Sequence, residues 1–345
     1  MSAPLPTPLS APLLPLVALG TGGPPVGAQG LGCMGFSEFY GPSAQDQARQ
    51  TLRAALDAGV TLLDTADLYG DGANEVLLGP FVRAHRERVF LATKFGIVRD
   101  SGRRTWDRVR GDRAYVRRCA EASLKRLGID TIDLYYAHRR DPSVPLEETV
   151  GAMAELVREG KVRHLGLCEV TGPELRAAHA VHPITALQSE WSLFSRDVET
   201  SAVPAAAELG VAFVAYSPLG RGLLTGAFPG SGELSPDDAR LTMPRFTGEQ
   251  GRANRALAER ARAVAADHAA TPAQVALACL HRQSLVHRLT VVPIPGSRRA
   301  ARLRENAAAA ALTLSEAGLR ALEPLAAQVA GARYADMSST AAARE

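Results

Sequence analysis

Residues 61–70 read TLLDTADLYG, and this stretch decides how the fold of the chain is interpreted. It opens as a short apolar run, typical of the end of a buried strand, and then changes abruptly to carboxylates, a tyrosine and a glycine. In a chain built from strand–helix repeats, Asp64 ends a strand and Tyr69 lies on the loop beyond it. The active sites of parallel α/β folds are assembled at such strand ends.

The same alternation of short apolar runs and amphipathic segments continues on both sides of this stretch. The predicted strands are residues 31–34, 60–63, 89–93, 131–136, 163–167, 184–188, 211–216 and 289–294. The predicted helices are residues 46–58, 74–83, 112–127, 146–159, 173–181, 198–209, 250–267, 272–283, 300–310 and 315–328. Eight strands, each followed by a helix, predict an α/β fold in the form of a closed (β/α)8 TIM barrel.

Two further segments are added to the repeats. Residues 20–32 are rich in glycine and proline and predict an N-terminal hairpin that leads into the first strand. Residues 217–248 are also rich in glycine and proline and lack clear periodicity, and loops of this length are usually functional lids or binding loops. Gly30, Gly32 and Gly35 have G-x-G-x-x-G spacing, but the ribose-binding acid that a Rossmann fold needs further along is not at the expected position, which disfavours that fold.

The domain prediction follows from these segments. Residues 1–15 are expected to be a poorly ordered tail, because prolines recur among apolar residues without charges. Residues 16–330 are predicted to form a single barrel domain, and residues 331–345 a C-terminal tail.

Composition and charge exclude several classes of protein. The chain has 345 residues, of which 46% are hydrophobic, and a formal net charge of +3 at pH 7. So small a net charge gives no electrostatic basis for binding nucleic acid. No stretch approaches the roughly 18–20 apolar residues of a membrane span, and the N-terminal prolines interrupt the apolar core that a secretory signal needs. We therefore expect a cytoplasmic protein with neither a membrane nor a nucleic-acid partner.

The four cysteines, Cys33, Cys119, Cys168 and Cys279, are widely separated and form no C-x-x-C pair. This spacing is typical of reduced thiols rather than of a disulfide framework or a zinc site. No metal site is predicted.

Four side chains at consecutive strand ends suggest a chemistry. Asp64 and Tyr69 follow the second predicted strand, Lys94 ends the third, and His138 follows the fourth. A lysine beside a phenol lowers the pKa of the phenol, and a carboxylate beside the lysine keeps the lysine charged. A histidine across the pocket can orient a carbonyl oxygen or relay a proton. Such a site protonates an oxygen on which charge develops, as carbonyl reduction by hydride requires.

Each of these residues also has a structural interpretation when taken alone. Asp64 could be a helix N-cap, Lys94 a solvated strand end, His138 a structural histidine, and Tyr69 a plug in the barrel mouth. Their common position at the carboxyl ends of consecutive strands favours the catalytic interpretation.

These residues and their neighbours resemble the aldo-keto reductases, in particular a microbial, fungal and plant branch that includes pyridoxal-reductase-like enzymes. The resemblance covers roughly residues 17–328. The motifs that carry it are LDTADLYG (63–70), ATK (92–94), DLYYAH (133–138), GLGCMGFS (30–37), NEVLLG (74–79), WSLFSR (191–196) and VAYSPLGRG (214–222). It implies a (β/α)8 barrel that binds NADPH/NADP+ extended across its mouth, without a Rossmann domain.

The resemblance also implies roles for individual residues. Tyr69 corresponds to the general acid, tuned by Asp64 and Lys94, and His138 to the residue that orients the substrate carbonyl. Tyr216 matches the tyrosine that stacks on the nicotinamide, although a core aromatic remains the alternative interpretation. The other residues matching cofactor contacts near the nicotinamide and pyrophosphate are Cys33, Met34, Cys168, Glu169, Gln188, Ser217, Pro218, Leu219 and Arg221.

The last strand region resembles a site for the adenosine 2′-phosphate. Ser297, Arg298 and Arg302 match phosphate contacts, Glu305 and Asn306 match adenine contacts, and Gly296 lies in the same loop. A cationic fork with a hydroxyl and a helix N-terminus suits a dianionic phosphate. This favours NADP over NAD, whereas the structural alternative is a solvated basic helix face.

Two positions depart from the family pattern. Cys168 stands where relatives have a serine that contacts the nicotinamide amide, and a thiol is a poorer hydrogen-bond partner. Gly296 stands where many relatives have a lysine for the 2′-phosphate, a role that Arg298 could take over. We expect altered cofactor binding rather than loss of activity.

The sequence therefore predicts an NADPH-dependent reductase of small aldehydes or ketones, with Tyr69 as proton donor. Two alternatives remain open: a sugar dehydrogenase that runs oxidatively on the same site, and a nucleotide-sensing regulatory subunit. The shape of the substrate pocket is expected to depend on Phe36, Phe39, Tyr40, Trp106 and the long loop.

Overall fold

Eight parallel strands form one sheet in the computed structural model, which describes residues 14–41, 44–99 and 108–345. Strand order in the sheet follows the order in the chain. The strands are β1 (Leu31–Gly32), β2 (Leu62–Asp64), β3 (Phe90–Phe95), β4 (Ile132–Ala137), β5 (Val162–Cys168), β6 (Ala186–Glu190), β7 (Ala212–Tyr216) and β8 (Val291–Pro293). All eight predicted strands are confirmed. The positions of residues 1–13 and Trp106, for which the sequence predicted a tail and a pocket wall, lie outside the described residues.

The first and last strands meet and close the sheet into a barrel. The Gly30 amide donates a hydrogen bond to the Pro293 carbonyl at 2.9 Å, and Gly32 pairs in parallel with Gly296. A Cβ atom on Gly32 would lie 2.9 Å from the Ile294 carbonyl oxygen, so only glycine permits this approach. The predicted (β/α)8 barrel is confirmed.

Ten α-helices lie within the described residues, and one follows each strand of the barrel. They are α1 (Gln45–Asp57), α2 (Ala73–Ala84), α3 (Arg113–Leu127), α4 (Leu146–Arg158), α5 (Gly172–Val181), α6 (Ala202–Leu209), α7 (Gly248–Asp267), α8 (Pro272–His287), α9 (Ala300–Ala308) and α10 (Glu316–Leu322). None of them combines the length and the apolar character needed to cross a membrane.

Local sequence explains where several helices begin and end. Helices α5 and α8 each start with a capping box, Thr171 with Glu174 and Thr271 with Gln274. Helix α3 ends at Gly128, whose φ of 66° suits glycine.

Two predicted helices are shorter than expected, and in both a proline supplies the reason. The segment predicted as residues 198–209 is a 3-10 turn over Asp197–Glu199 followed by α6, which has Pro204 in its first turn. The segment predicted as residues 315–328 is helical only to Leu322 and continues as a 3-10 turn that contains Pro324. Proline has no amide hydrogen and is disfavoured beyond the first turn of an α-helix, although α2 accommodates Pro80 in its interior.

The core has an inner and an outer layer. Leu62, Tyr136 and Val214 are among the buried residues that fill the barrel. A larger apolar layer packs between the strands and the surrounding helices. Leu19 and Val26, from the predicted N-terminal hairpin (Leu16–Ala18 with Pro25–Gly27), belong to the inner cluster. The hairpin therefore packs against the barrel interior.

An ion cluster joins three strands near their amino ends. Asp133, on β4, is 1% exposed and accepts hydrogen bonds from both terminal nitrogens of Arg86 at 2.8 Å. It also accepts from Arg163 at 2.7 Å and from the Leu91 amide at 2.8 Å. One carboxylate thus ties β3 and β5 to β4.

We expect Asp133→Ala to lower the free energy of unfolding by about 2–3 kcal/mol, because the buried Leu91 amide and the two arginines lose their acceptor. Denaturant unfolding measures this difference. The matched control is Asp46→Ala, which removes an ion pair with Arg49 whose side chains are both exposed, and we expect it to leave the midpoint unchanged. Equal effects of the two substitutions would contradict a special role for Asp133.

Candidate active site

The four predicted catalytic residues meet at the carboxyl-terminal mouth of the barrel. Asp64 ends β2, Lys94 lies next to the end of β3, and His138 directly follows β4. The His138 amide donates to the Phe95 carbonyl at 2.8 Å, which extends the pairing of β3 and β4 to the histidine. Tyr69 lies on the loop between β2 and α2. The structure therefore brings together all four side chains.

Lys94 is the centre of the cluster and is fully buried. Its ammonium donates to an Asp64 carboxylate oxygen, to the Thr65 carbonyl at 2.8 Å and to the Tyr69 hydroxyl at 3.4 Å. The other Asp64 oxygen accepts a hydrogen bond from the Gln188 amide at 2.8 Å. All three N–H groups of the ammonium are satisfied, so a buried charge is held in one position.

His138 packs edge-on against Tyr69, with ring centroids 6.0 Å apart and an interplanar angle of 83°. Its Nδ1 atom is buried and has no hydrogen-bond partner among the described residues. Burial, together with the positive charges of Arg139 and Lys94, holds the pKa of His138 well below its ordinary value. The imidazole is therefore neutral at pH 7 and can donate one N–H to a substrate oxygen.

The protonation states of Tyr69 and Lys94 correct one expectation. Burial raises the pKa of Tyr69 to about 12, although the Lys94 ammonium acts in the opposite direction. The sequence correctly predicted the effect of the lysine but was wrong about the net shift, because desolvation of the phenolate outweighs it. Burial also lowers the pKa of Lys94, but the neighbouring acidic groups, Asp64 foremost, together raise it above its ordinary value. At neutral pH the pair is a phenol and an ammonium.

A cavity of about 630 Å³ begins at this cluster and extends to the start of α9. Asp64, Tyr69 and His138 line one end of it. The predicted cofactor residues that line it are Met34, Gln188, Tyr216, Ser217, Pro218, Leu219, Arg221, Gly296, Ser297, Arg298, Arg302, Glu305 and Asn306. Residues drawn from widely separated parts of the sequence thus share one continuous surface.

The model of the aldo/keto reductase family matches residues 29–327 of the chain. The chain belongs to the aldo/keto reductase family. Oxidoreductase activity on carbonyl or alcohol groups follows from that membership.

Solved structures of other family members resemble this one over most of their length. The glycerol dehydrogenase AKR11B4 from Gluconobacter oxydans is 25% identical, with 89% of this chain and 93% of that chain covered and a TM-score of 0.79. The thermostable aldo-keto reductase Tm1743, solved with the inhibitor epalrestat, is 30% identical, with 90% and 100% covered and a TM-score of 0.71. The aldo-keto reductase AKR11C1 from Bacillus halodurans, in a holo form, is 25% identical, with 94% and 99% covered and a TM-score of 0.72.

Three predicted cofactor residues of this aldo/keto reductase do not line the cavity. Cys33 and Cys168 are buried at 1% exposure, and burial raises the pKa of the Cys168 thiol to about 12. Both thiols are therefore inert in this state. Glu169 is fully buried, and its carboxylate accepts hydrogen bonds from Arg333 and Tyr216. Phe36 was predicted to shape the substrate pocket. It packs instead into the apolar layer between the strands and the surrounding helices.

Sequence reasoning missed several residues of the cavity wall. Phe39 and Tyr40 line it as predicted, but so do Arg240 and Tyr334. The Arg240 guanidinium lies 5.1 Å from the Tyr40 ring centroid and 5.2 Å from that of Phe228, and so joins the long loop to the loop after β1. Cation–π pairs of this kind have no sequence spacing that could reveal them.

Ionisation of Glu169 makes the stability of the fold depend on pH. Burial alone would raise the pKa of Glu169, but Arg333 and Arg139 lower it from 4.5 to about 2. Because the folded-state pKa lies below the unfolded one, the stabilisation is present above pH 4.5 and is lost as pH falls through about 2. A shift of this size corresponds to about 3 kcal/mol.

We expect Glu169→Gln to lower the stability at pH 7 and to flatten its decline between pH 4.5 and pH 2.5, because the substituted side chain does not titrate. Thermal unfolding at several pH values measures this. The control Glu87→Gln, at an exposed position, should keep the pH dependence of the wild type. A Glu169→Gln profile parallel to that of the wild type would show that Glu169 is not the group responsible.

Proposed function

We propose that the chain reduces aldehydes or ketones to alcohols with NADPH, and that Tyr69 donates the proton to the carbonyl oxygen. The observation that carries this proposal is the Lys94 ammonium, which is buried between Asp64 and the Tyr69 hydroxyl at the end of the cavity. A neutral phenol that faces a cavity and is backed by a fixed positive charge is suited to give up a proton as negative charge develops beside it.

Each side chain has a distinct part in this step. A carbonyl oxygen placed between Tyr69 and His138 accepts hydrogen bonds from the phenol and from the neutral imidazole. NADPH, when bound, supplies the hydride that the carbonyl carbon takes up. As the Tyr69 proton passes to the substrate oxygen, the Lys94 ammonium stabilises the phenolate that remains. Asp64 keeps the ammonium charged and in place, and the hydrogen bond from Gln188 holds Asp64 in turn.

The cavity residues fit a nicotinamide dinucleotide. Tyr216 presents an aromatic ring near the catalytic end, which suits a nicotinamide. Ser217 and Arg221 belong to a loop with positive φ values of 49° and 52°, which turns the backbone sharply along the wall. At the far end, Ser297, Arg298 and Arg302 lie beside the N-terminus of α9, a combination that suits a phosphate. These residues would hold the cofactor in an extended form.

The cationic end of the cavity supports NADP rather than NAD. Arg302 is exposed on the first turn of α9 and lines the cavity. Its guanidinium can form two parallel hydrogen bonds to a phosphate, whereas the corresponding hydroxyl of NAD offers no charge.

Oxidation of a polyol or sugar alcohol is a second candidate, because one similar protein is a glycerol dehydrogenase. The same residues serve both directions, since Tyr69 as a phenolate can accept the proton that it donates in reduction. Comparing the oxidation of glycerol by NADP+ with the reduction of an aldehyde by NADPH separates the two candidates.

We expect Tyr69→Phe to lower kcat/KM for aldehyde reduction by about a hundredfold to ten-thousandfold, because the proton donor is lost. NADPH oxidation with 4-nitrobenzaldehyde or pyridoxal measures this. The dissociation constant for NADPH should stay the same, which shows that the variant is folded. Equal turnover by wild type and variant would rule out Tyr69 as the acid, and absence of turnover in the wild type would favour a nucleotide-sensing subunit.

We expect Arg302→Gln to weaken NADPH binding about tenfold and to leave NADH binding unchanged, because a charge-assisted pair to the 2′-phosphate is lost. Fluorescence titration with both nucleotides measures the two constants. The matched control is Arg304→Gln on the same helix, which is also exposed but does not line the cavity. An equal loss for NADPH and NADH in Arg302→Gln would argue against a phosphate contact.

A further inference from the structure

Glu169 anchors a part of the chain that the sequence assigned to a tail, here called the C-terminal segment (residues 331–345). The carboxylate accepts from Arg333 at 3.1 and 3.2 Å and from the Ala341 amide at 3.1 Å. It also accepts from the Tyr216 hydroxyl at 2.6 Å and from the Glu190 amide at 3.2 Å. A single buried anion therefore links β5, β6 and β7 to the C-terminal segment.

The C-terminal segment is docked against the barrel at several points. Arg333 is 3% exposed and also pairs with Asp197 at 3.3 Å. Arg344 donates to the Glu169 carbonyl at 2.7 Å and pairs with Glu174 at 3.0 Å. These contacts hold the backbone on both sides of the intervening residues, so Tyr334, next to Arg333, has a defined place.

Tyr334 reaches the cavity between two residues proposed to hold the cofactor. Its hydroxyl accepts from Arg221 at 2.6 Å and lies 3.2 Å from the Tyr216 hydroxyl. The direction of the second bond follows from proton count. Glu169 can only accept, so the single hydroxyl proton of Tyr216 is used there. Tyr334 must therefore donate to the Tyr216 oxygen.

The result is a directed chain of hydrogen bonds from Arg221 through Tyr334 and Tyr216 to Glu169. It starts at a guanidinium and ends at a carboxylate, so every bond is polarised in the same sense. The chain holds the Tyr216 ring by its oxygen and holds the Arg221 side chain against the same wall.

We infer that Tyr334 is a positioning residue for the nicotinamide half of the cofactor. It acts through Tyr216 and Arg221, and this rests on the proposed function, in which those two residues contact the dinucleotide. Fixing both side chains before binding removes the entropy that binding would otherwise lose. The C-terminal segment is thus part of the active site.

The test is Tyr334→Phe, which keeps the ring and removes the hydroxyl. We expect the dissociation constants of NADPH and NADH to rise by the same factor, about fivefold to tenfold for one lost hydrogen bond. Fluorescence titration of the enzyme without substrate measures both constants, and thermal unfolding without nucleotide measures stability. The matched control is Tyr115→Phe, on α3 and away from the cavity wall, which should leave both nucleotide constants unchanged.

The possible outcomes distinguish the inference about Tyr334 from the proposed reductase function. Weaker binding of both nucleotides with an unchanged melting temperature supports a positioning role. Wild-type affinity in Tyr334→Phe, or a loss of melting temperature that accounts for the weaker binding, overturns it. Loss for NADPH alone also overturns it, because the effect would then lie at the phosphate end. Failure of the wild type to bind either nucleotide would instead refute the proposed function.

Discussion

The ion pair between Lys94 and Asp64 is the interaction on which the site depends. Both groups are buried, and removing two charges from water is costly unless every donor and acceptor finds a partner. The ammonium meets that condition with the Asp64 carboxylate, the Thr65 carbonyl and the Tyr69 hydroxyl. The pair stabilises the fold little by itself, but it keeps a fully buried positive charge beside a neutral phenol that faces the cavity.

The two ends of the barrel have different roles, one structural and one in forming the site. Asp133 ties three strands together near their amino ends. Three of the proposed catalytic residues lie at the opposite ends of β2, β3 and β4, where neighbouring strands are held in register by parallel pairing. The positions of Asp64, Lys94 and His138 are therefore set by the backbone of the sheet, whereas Tyr69 is contributed by the loop between β2 and α2.

The barrel and the strand ends that carry the site could be predicted from the sequence, because they follow from local patterns. Short apolar runs ending in Asp64 and Lys94 indicated strand ends, and the alternation of strands and helices indicated the barrel. The net pKa of Tyr69 could not be predicted, because it depends on how deeply the phenol is buried and not only on the neighbouring lysine. The shortened helices at Pro204 and Pro324 were predictable in principle, because the proline ring fixes φ and leaves no amide hydrogen for a helical hydrogen bond.

The contacts of Glu169 could not be predicted from the sequence. Its position in the sequence indicated a cofactor contact, yet its carboxylate is used by Arg333 and Tyr216. Nothing in the periodicity of residues 331–345 reveals that partner, because an ion pair between distant segments has no characteristic spacing. Arg240 and Tyr334 were missed for the same reason, although both line the cavity.

The glycine contact that closes the barrel also has a consequence for assembly. Gly32 and Gly296 come from opposite ends of the barrel sequence, and such long-range contacts form slowly because much chain entropy is lost first. Met34 and Ser297 flank this seam on the cavity side. A molecule that contacts both is bound only by the closed barrel, so it stabilises closure through mass action. Binding in the cavity and closure of the barrel are then thermodynamically linked.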